Sequence, residues 1–143
     1  MTLHNLDNLY RQAVMEHAKY PHHHAPVTEK DKHQIQKFNP TCGDMISLAV
    51  TVDDDRIIDC HFDGDGCAIA IASCSMMTDI MIGKTISQSQ ELMRMFSAMT
   101  MGENINFDAI GEAQLLAGVT KFPTRIKCAT LSWHALDDLL AHY

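Results

Sequence analysis

The side chains with the most chemistry to offer in this sequence are five cysteines, at positions 42, 60, 67, 74 and 128. An odd number, with no secretory pattern ahead of it, does not make a disulfide framework. That leaves reduced thiols acting as ligands, as nucleophiles or as core filler. No Cys-x-x-Cys pair occurs, which excludes a zinc ribbon or a thioredoxin-type motif. Cys60 shares a strand face with Ile58 and Phe62 and reads as a small buried hydrophobe. Cys74 follows Cys67 by two helical turns, which separates their backbones by about 10 Å. The two cannot hold one ion, and Cys74 reads as core.

Cys42, Cys67 and Cys128 differ from these two, because each sits at an element boundary beside turn-forming or charged residues. Cys67 follows Gly64-Asp65-Gly66 and opens an apolar helical run, where the helix dipole favours a thiolate. Asp44 lies two positions after Cys42, and Gly43 lets the backbone bend so that both side chains converge. Three thiolates and a carboxylate are a donor set for tetrahedral zinc. Such a site is net negative, and Arg125 and Lys127 beside Cys128 are cations placed to offset it. A plain turn or capping role for Asp44 stays open on spacing alone. Asp63-Gly64-Asp65-Gly66 resembles a calcium loop only superficially, since it lacks a third acidic ligand and a closing glutamate. His22-His23-His24 invites a metal reading too. Adjacent side chains rarely point at one ion, however, so the triplet reads as a solvated loop.

The elements that must position these groups follow from periodicity. Residues 3–20 read as a helix with Leu6, Leu9, Tyr10, Ala13, Val14 and His17 on one stripe, closed by Pro21. A short edge strand is expected near 33–39, then a turn through Pro40–Asp44. Alternation predicts a strand over 45–52, with Ile46, Leu48, Val50 and Val52 inward. Asp53-Asp54-Asp55 connects it to a second strand, with Ile58, Cys60 and Phe62 on one face and Ile57, Asp59 and His61 on the other. The hairpin brings the start of its first strand near the end of its second, and so Cys42 near Cys67. Helices follow over 67–82, largely buried, and over 87–100, whose methionines read as core. A short helix over 111–118 and a last helix over 124–142, anchored by Trp133, complete the chain.

Length suits a single domain over 1–143, and an apolar fraction of 46% is enough to build its core. The formal net charge of −7, with no basic run, argues against nucleic acid as a partner. No stretch is apolar enough for a membrane span. Met1-Thr2-Leu3-His4-Asn5 is not a signal-peptide start, so a cytoplasmic location is expected.

Pro40-Thr41-Cys42-Gly43-Asp44, Gly64-Asp65-Gly66-Cys67-Ala68-Ile69-Ala70-Ile71-Ala72-Ser73 and Arg125-Ile126-Lys127-Cys128-Ala129-Thr130-Leu131 together resemble the IscU/NifU-like iron–sulfur cluster assembly family. The resemblance covers nearly the whole chain, with three motifs in the right order. It implies an α+β fold, a small antiparallel sheet of about three strands packed against several helices. It also implies that Cys42, Cys67 and Cys128 are the family cysteines and Asp44 the family aspartate. Two departures point to a branch. IscU-type scaffolds carry a histidine before the third cysteine, where this chain has Lys127. They also carry a Leu-Pro-Pro-Val-Lys motif where this chain has Lys121-Phe122-Pro123-Thr124-Arg125. The longer gap between Cys67 and Cys128 adds to these, and the pattern is similar to the zinc-binding SufU-type branch.

That branch implies a sulfur carrier or zinc-dependent sulfurtransferase rather than a small-molecule enzyme. The implied donor is a pyridoxal-phosphate cysteine desulfurase, and the implied recipient is a downstream cluster scaffold or apo-protein. Docking is expected to free Cys42, on the most flexible loop, as sulfur acceptor, with Arg125 stabilising its thiolate. The rival expectation is a scaffold in which Cys42, Cys67 and Cys128, with Asp44, hold a nascent iron–sulfur cluster. A third is a purely structural zinc site.

Overall fold

The structure, a computed structural model, describes the backbone of residues 3–143 and the side chains of residues 8–143. Met1 and Thr2 of the N-terminal reading, and the side chain of Leu6 in the first helical stripe, lie outside the described residues. Helix α1 (Leu3–Lys19) buries Tyr10, Ala13, Val14 and His17, a stripe at helical spacing. Three antiparallel strands follow in the order β1-β2-β3: β1 (Gln34–Asn39), β2 (Asp44–Asp53) and β3 (Arg56–Asp65). Asp54 and Asp55 connect β2 to β3 with φ of 50° and 64°, the two positive values a type I′ hairpin turn needs.

Ile46, Leu48 and Val50 of β2 face inward as alternation requires. The expected face of β3 is corrected at one end. Thr51 pairs with Asp59 but Val52 pairs with Ile57, so Ile58 is the extra residue of a β-bulge. Ile57 is therefore fully buried with Cys60 and Phe62, and Ile58 is 54% exposed.

Helix α2 (Ala68–Met81) packs between α1 and helix α4 (Ile126–Leu140), and α4 lies on β1 and β2. Helix α3 (Ile86–Thr100) starts in a capping box, in which Thr85 Oγ1 accepts from the Gln88 N–H and the Gln88 side chain accepts from the Thr85 N–H. The expected short helix over 111–118 is longer, a run of tight helical turns over Phe107–Lys121 broken at Gly111 (φ 54°). The last helix starts at Ile126 rather than 124, after a separate turn over Pro123–Arg125. Trp133 anchors α4 as expected. It stacks on Phe96 with centroids 3.9 Å apart, and its Nε1–H donates to Ser73 Oγ at 2.9 Å. Ser73 Oγ in turn donates to the Ala129 carbonyl, so α2, α3 and α4 meet at one satisfied polar point inside an apolar layer. Cys60 and Cys74 are fully buried in this core.

The side chains of the His22–His24 loop are solvent-exposed, as expected, but its backbone is paired. His23 and Ala25 exchange backbone hydrogen bonds with Phe62, and the His22 N–H donates to Ser75 Oγ at 2.7 Å. This segment covers the free edge of β3, a common way to keep a sheet edge from pairing with another chain.

Candidate metal centre

The register of the sheet builds the site. Asn39 at the end of β1 pairs with Asp44 at the start of β2, and Met45 pairs with Asp65 at the end of β3. Cys67 comes two residues after Asp65, and so beside Asp44. Two glycines make that approach possible. A Cβ on Gly64 (φ 141°) would lie 2.1 Å from the Met45 carbonyl oxygen. One on Gly66 would lie 3.1 Å from Asp44 Oδ1, close enough to push the carboxylate aside.

Asp44 is fully buried and does two things at once. Its Oδ1 accepts from the Cys67 N–H at 2.8 Å, capping the N-terminus of α2. Its Oδ2 accepts from Asn39 Nδ2 at 3.1 Å. The capping reading and the ligand reading of Asp44 are thus compatible. Burial pushes its carboxyl upward, but hydrogen bonds from the Cys67 backbone, Cys128, Asn39 and the Cys67 thiol outweigh it and hold the group below its ordinary range.

The donor atoms of Cys42, Asp44 and Cys128 lie within 4.8 Å of one another. Cys128, buried in the first turn of α4, has its Sγ 2.9 Å from that of Cys42. All five cysteines are free thiols. Burial, then hydrogen bonding with Cys42 and Asp44, pushes the Cys128 thiol up. Cys67, at the N-cap of α2, stands outside the tight trio, its N–H held by Asp44 Oδ1. Arg125 Nη1 donates to Cys42 Sγ at 3.4 Å. Contact with Cys128 and the charge of the three thiols raise the guanidinium's own pKa further. Lys127 is exposed, along a cleft shared with Lys37 beside the Cys42 loop.

Nothing in the spacing singles out Asn39, which is buried and holds both Asp44 and, at 3.5 Å, the Cys128 sulfur. Its only signal is its place directly before Pro40. Tyr10 is the other addition. Burial raises its phenol first, then the nearby Cys67 charge, against the opposing field of Arg125.

Three acidic donors thus converge with the Arg125 guanidinium at the rim. Thiolates and a carboxylate this close repel unless protons or a metal ion sit among them, and the set suits a tetrahedral thiophilic ion.

A small three-stranded antiparallel sheet backed by helices, with cysteine thiols and one aspartate gathered where a helix leaves the sheet, defines an α+β protein of the iron–sulfur cluster assembly class. The chain belongs to the family of NifU-like N terminal domains, whose defining pattern matches residues 9–129. It is 49% identical over 141 residues to the iron–sulfur cluster assembly scaffold protein IscU of Streptococcus pyogenes serotype M1, covering 98% of this chain and 87% of that one. It is 45% identical over 139 residues to the zinc-dependent sulfurtransferase SufU of Bacillus subtilis (strain 168), covering 96% and 92%. A crystal structure from Fervidobacterium islandicum AW-1, described as a candidate iron–sulfur cluster assembly scaffold for the SUF system, superposes with a TM-score of 0.83. It is 30% identical, covering 93% of this chain and 97% of that one. Among the described residues no helix is long and apolar enough to cross a membrane.

Proposed function

We propose that this protein, acting as one domain in the cytoplasm, takes sulfur from the persulfide of a pyridoxal-phosphate cysteine desulfurase onto Cys42. It then relays that sulfur to a cluster scaffold or apo-protein. The observation that carries the reading is the inequality of the three thiols. Cys42 is half-buried on the loop between β1 and β2 with a guanidinium 3.4 Å from its sulfur, whereas Cys128 is buried. Cys42, Asp44, Cys67 and Cys128 would hold zinc, which keeps such thiols deprotonated at neutral pH.

The Cys42 thiolate attacks the outer sulfur of the donor persulfide. A new S–S bond forms on Cys42, the donor's S–S bond breaks, and the donor cysteine leaves as a thiolate. Arg125 stabilises the thiolate before attack, Asp44 holds the mouth of α2 in place, and Asn39 orients Asp44. The relative named as a zinc-dependent sulfurtransferase supports this branch, as do Lys127 and Lys121–Arg125 in place of the scaffold motifs.

The second reading is a scaffold on which a nascent iron–sulfur cluster is the cargo of the same three cysteines. The relative named as a scaffold favours it. Incubation with a desulfurase and labelled cysteine separates the readings. Transfer predicts labelled persulfide on the wild type, none on Cys42→Ala, and stoichiometric zinc in anaerobically purified protein. Label persisting on Cys42→Ala removes Cys42 as acceptor. Colour after incubation with iron and sulfide favours the scaffold. A structural zinc alone predicts no stimulation of desulfurase turnover.

A further inference from the structure

We propose that His17, His22 and Asp79 form a second metal site, separate from the thiol centre, for a divalent first-row ion of the zinc class. The three residues come from different parts of the chain: the last turns of α1, the loop after Pro21, and the C-terminal half of α2. One ligand atom from each lies within 4.8 Å of the others. Asp79 is twelve residues along α2 from Cys67, about 18 Å of helix, so neither site can borrow a ligand from the other.

Hydrogen bonds hold the His17 ring in place beside His22 and Asp79. It is 4% exposed, and both ring nitrogens are engaged. In the tautomer whose Nε2–H donates to the Glu112 carboxylate, the Nδ1 lone pair faces Ser75. In that tautomer the Ser75 hydroxyl donates to Nδ1 at 2.7 Å while Ser75 Oγ accepts from the His22 N–H at 2.7 Å, and an ion on Nδ1 displaces the Ser75 hydroxyl. A carboxylate behind a histidine is the usual means of orienting the ring toward a metal and raising its basicity. The His22 ring stands 4.6 Å from that of His17, and its Nδ1 is 2.5 Å from Asp79 Oδ2.

Zinc at about 2.0–2.1 Å from each ligand places the ligand atoms about 3.4 Å apart. Rotation of two surface side chains closes the remaining gap, since His22 and Asp79 are 51% and 38% exposed. Two imidazoles and a carboxylate suit zinc, nickel or cobalt rather than calcium or magnesium, which prefer oxygen. Two histidine–carboxylate clusters elsewhere lack a second imidazole: His24 meets Asp63 at 3.3 Å, and His61 meets Asp31 and Asp59. The adjacent His22 and His23 both meet Asp79, His23 Nδ1 at 3.4 Å from Oδ1, whereas His24 turns away to Asp63. His22 also converges with a histidine five residues upstream. An ion there would tie the end of α1 to α2.

Calorimetric titration of zinc into the reduced, metal-free, untagged full chain tests this. The wild type should bind one equivalent more than His22→Gln and one more than Asp79→Asn, both half-exposed positions. Glu112→Gln should keep the equivalent with about 10–100-fold weaker affinity. His61→Gln should match the wild type. The same one-equivalent difference should persist in a Cys128→Ser background, so failure of the thiol-centre reading leaves this result legible. Cobalt bound in that background should give ligand-field bands that His22→Gln abolishes. Equal stoichiometry in the wild type and both ligand variants overturns the proposal, as does loss of the extra equivalent on His61→Gln.

Discussion

The five thiols divide into two environments, and the contrast separates placement from residue type. Cys60 and Cys74 are fully enclosed by the layer between sheet and helices. Burial, reinforced by the Asp59 charge, pushes the Cys60 thiol up to about 12. Burial and then the neighbouring Cys60 push Cys74 up as well. At neutral pH both are inert thiols that fill space. Cys42, Cys67 and Cys128 sit where β1, β2, β3 and the two N-termini of α2 and α4 end together. There each meets a charged or hydrogen-bonding partner: Asp44, Asn39 or Arg125. The same side chain is filler in one place and chemistry in the other, and the deciding variable is which ends of elements the topology brings together.

The largest expected expression of this difference is in alkylation. In reduced, metal-free protein at about pH 8, Cys42 and Cys67 should react with iodoacetamide in the folded state. Cys60 and Cys74 should react only through unfolding, slower by the unfolding equilibrium, about 10³-fold or more. Peptide mass mapping over time reads this directly. Early labelling of Cys60 would break the contrast.

Next in size is Asp44, the residue that ties the rim to the fold. Asp44→Ala removes a donor and leaves the Cys67 N–H uncapped, which costs about 1 kcal/mol in stability from the cap alone. Zinc uptake should fall sharply. Asp44→Asn keeps an acceptor for the Cys67 N–H, so its unfolding midpoint should stay near that of the wild type while zinc uptake still weakens. Equal midpoints for Ala and Asn would mean the cap contributes nothing. In metal-free protein Asp44 also sets an acid limb. Its folded pKa is below its ordinary value, so its contribution is present above the ordinary carboxylate range and is lost as pH falls through the folded value.

Much of this was legible before the fold. The rim trio followed from boundary positions, and the core pair from a strand face and a two-turn spacing. The elements that misled were those set by tertiary pairing. A bulge between Thr51 and Val52 swaps Ile57 for Ile58 on the buried face, and a period of two cannot reveal an added residue. The histidine triplet is exposed as expected, but its pairing was hidden because its partners, Ser75, Asp79 and Phe62, are about forty or more residues away. Asn39 carries no local pattern because its role is to hold Asp44 and Cys128 from behind. In each case the missing information is a long-range contact, which composition and periodicity do not encode.

A third contrast sits in stability. Cys60→Ser places a hydroxyl where no partner waits, and should cost about 1–3 kcal/mol in urea unfolding. Cys42→Ser, on a half-exposed loop, should stay within about 0.5 kcal/mol. A Cys42→Ser cost matching that of Cys60→Ser would place Cys42 in the core set.

The last effect is the alkaline limb of the core thiols. The unfolded chain releases a cysteine proton near its ordinary value of 9.0, whereas folded Cys60 holds it to about 12. Between those values the folded state binds more protons than the unfolded one. Stability is therefore whole below pH 9 and drains as pH rises toward 12, by at most about 1.4 kcal/mol per pH unit for one thiol. Cys60→Ala removes that term, and removing Cys74 as well should flatten the limb further, since burial holds its proton too. Urea midpoints compared at about pH 7.5 and about pH 10.5 should therefore converge in the double variant relative to wild type. An unchanged pH difference would mean that the core thiols ionise together with the unfolded chain, and the line between filler and chemistry would have to be drawn by access alone.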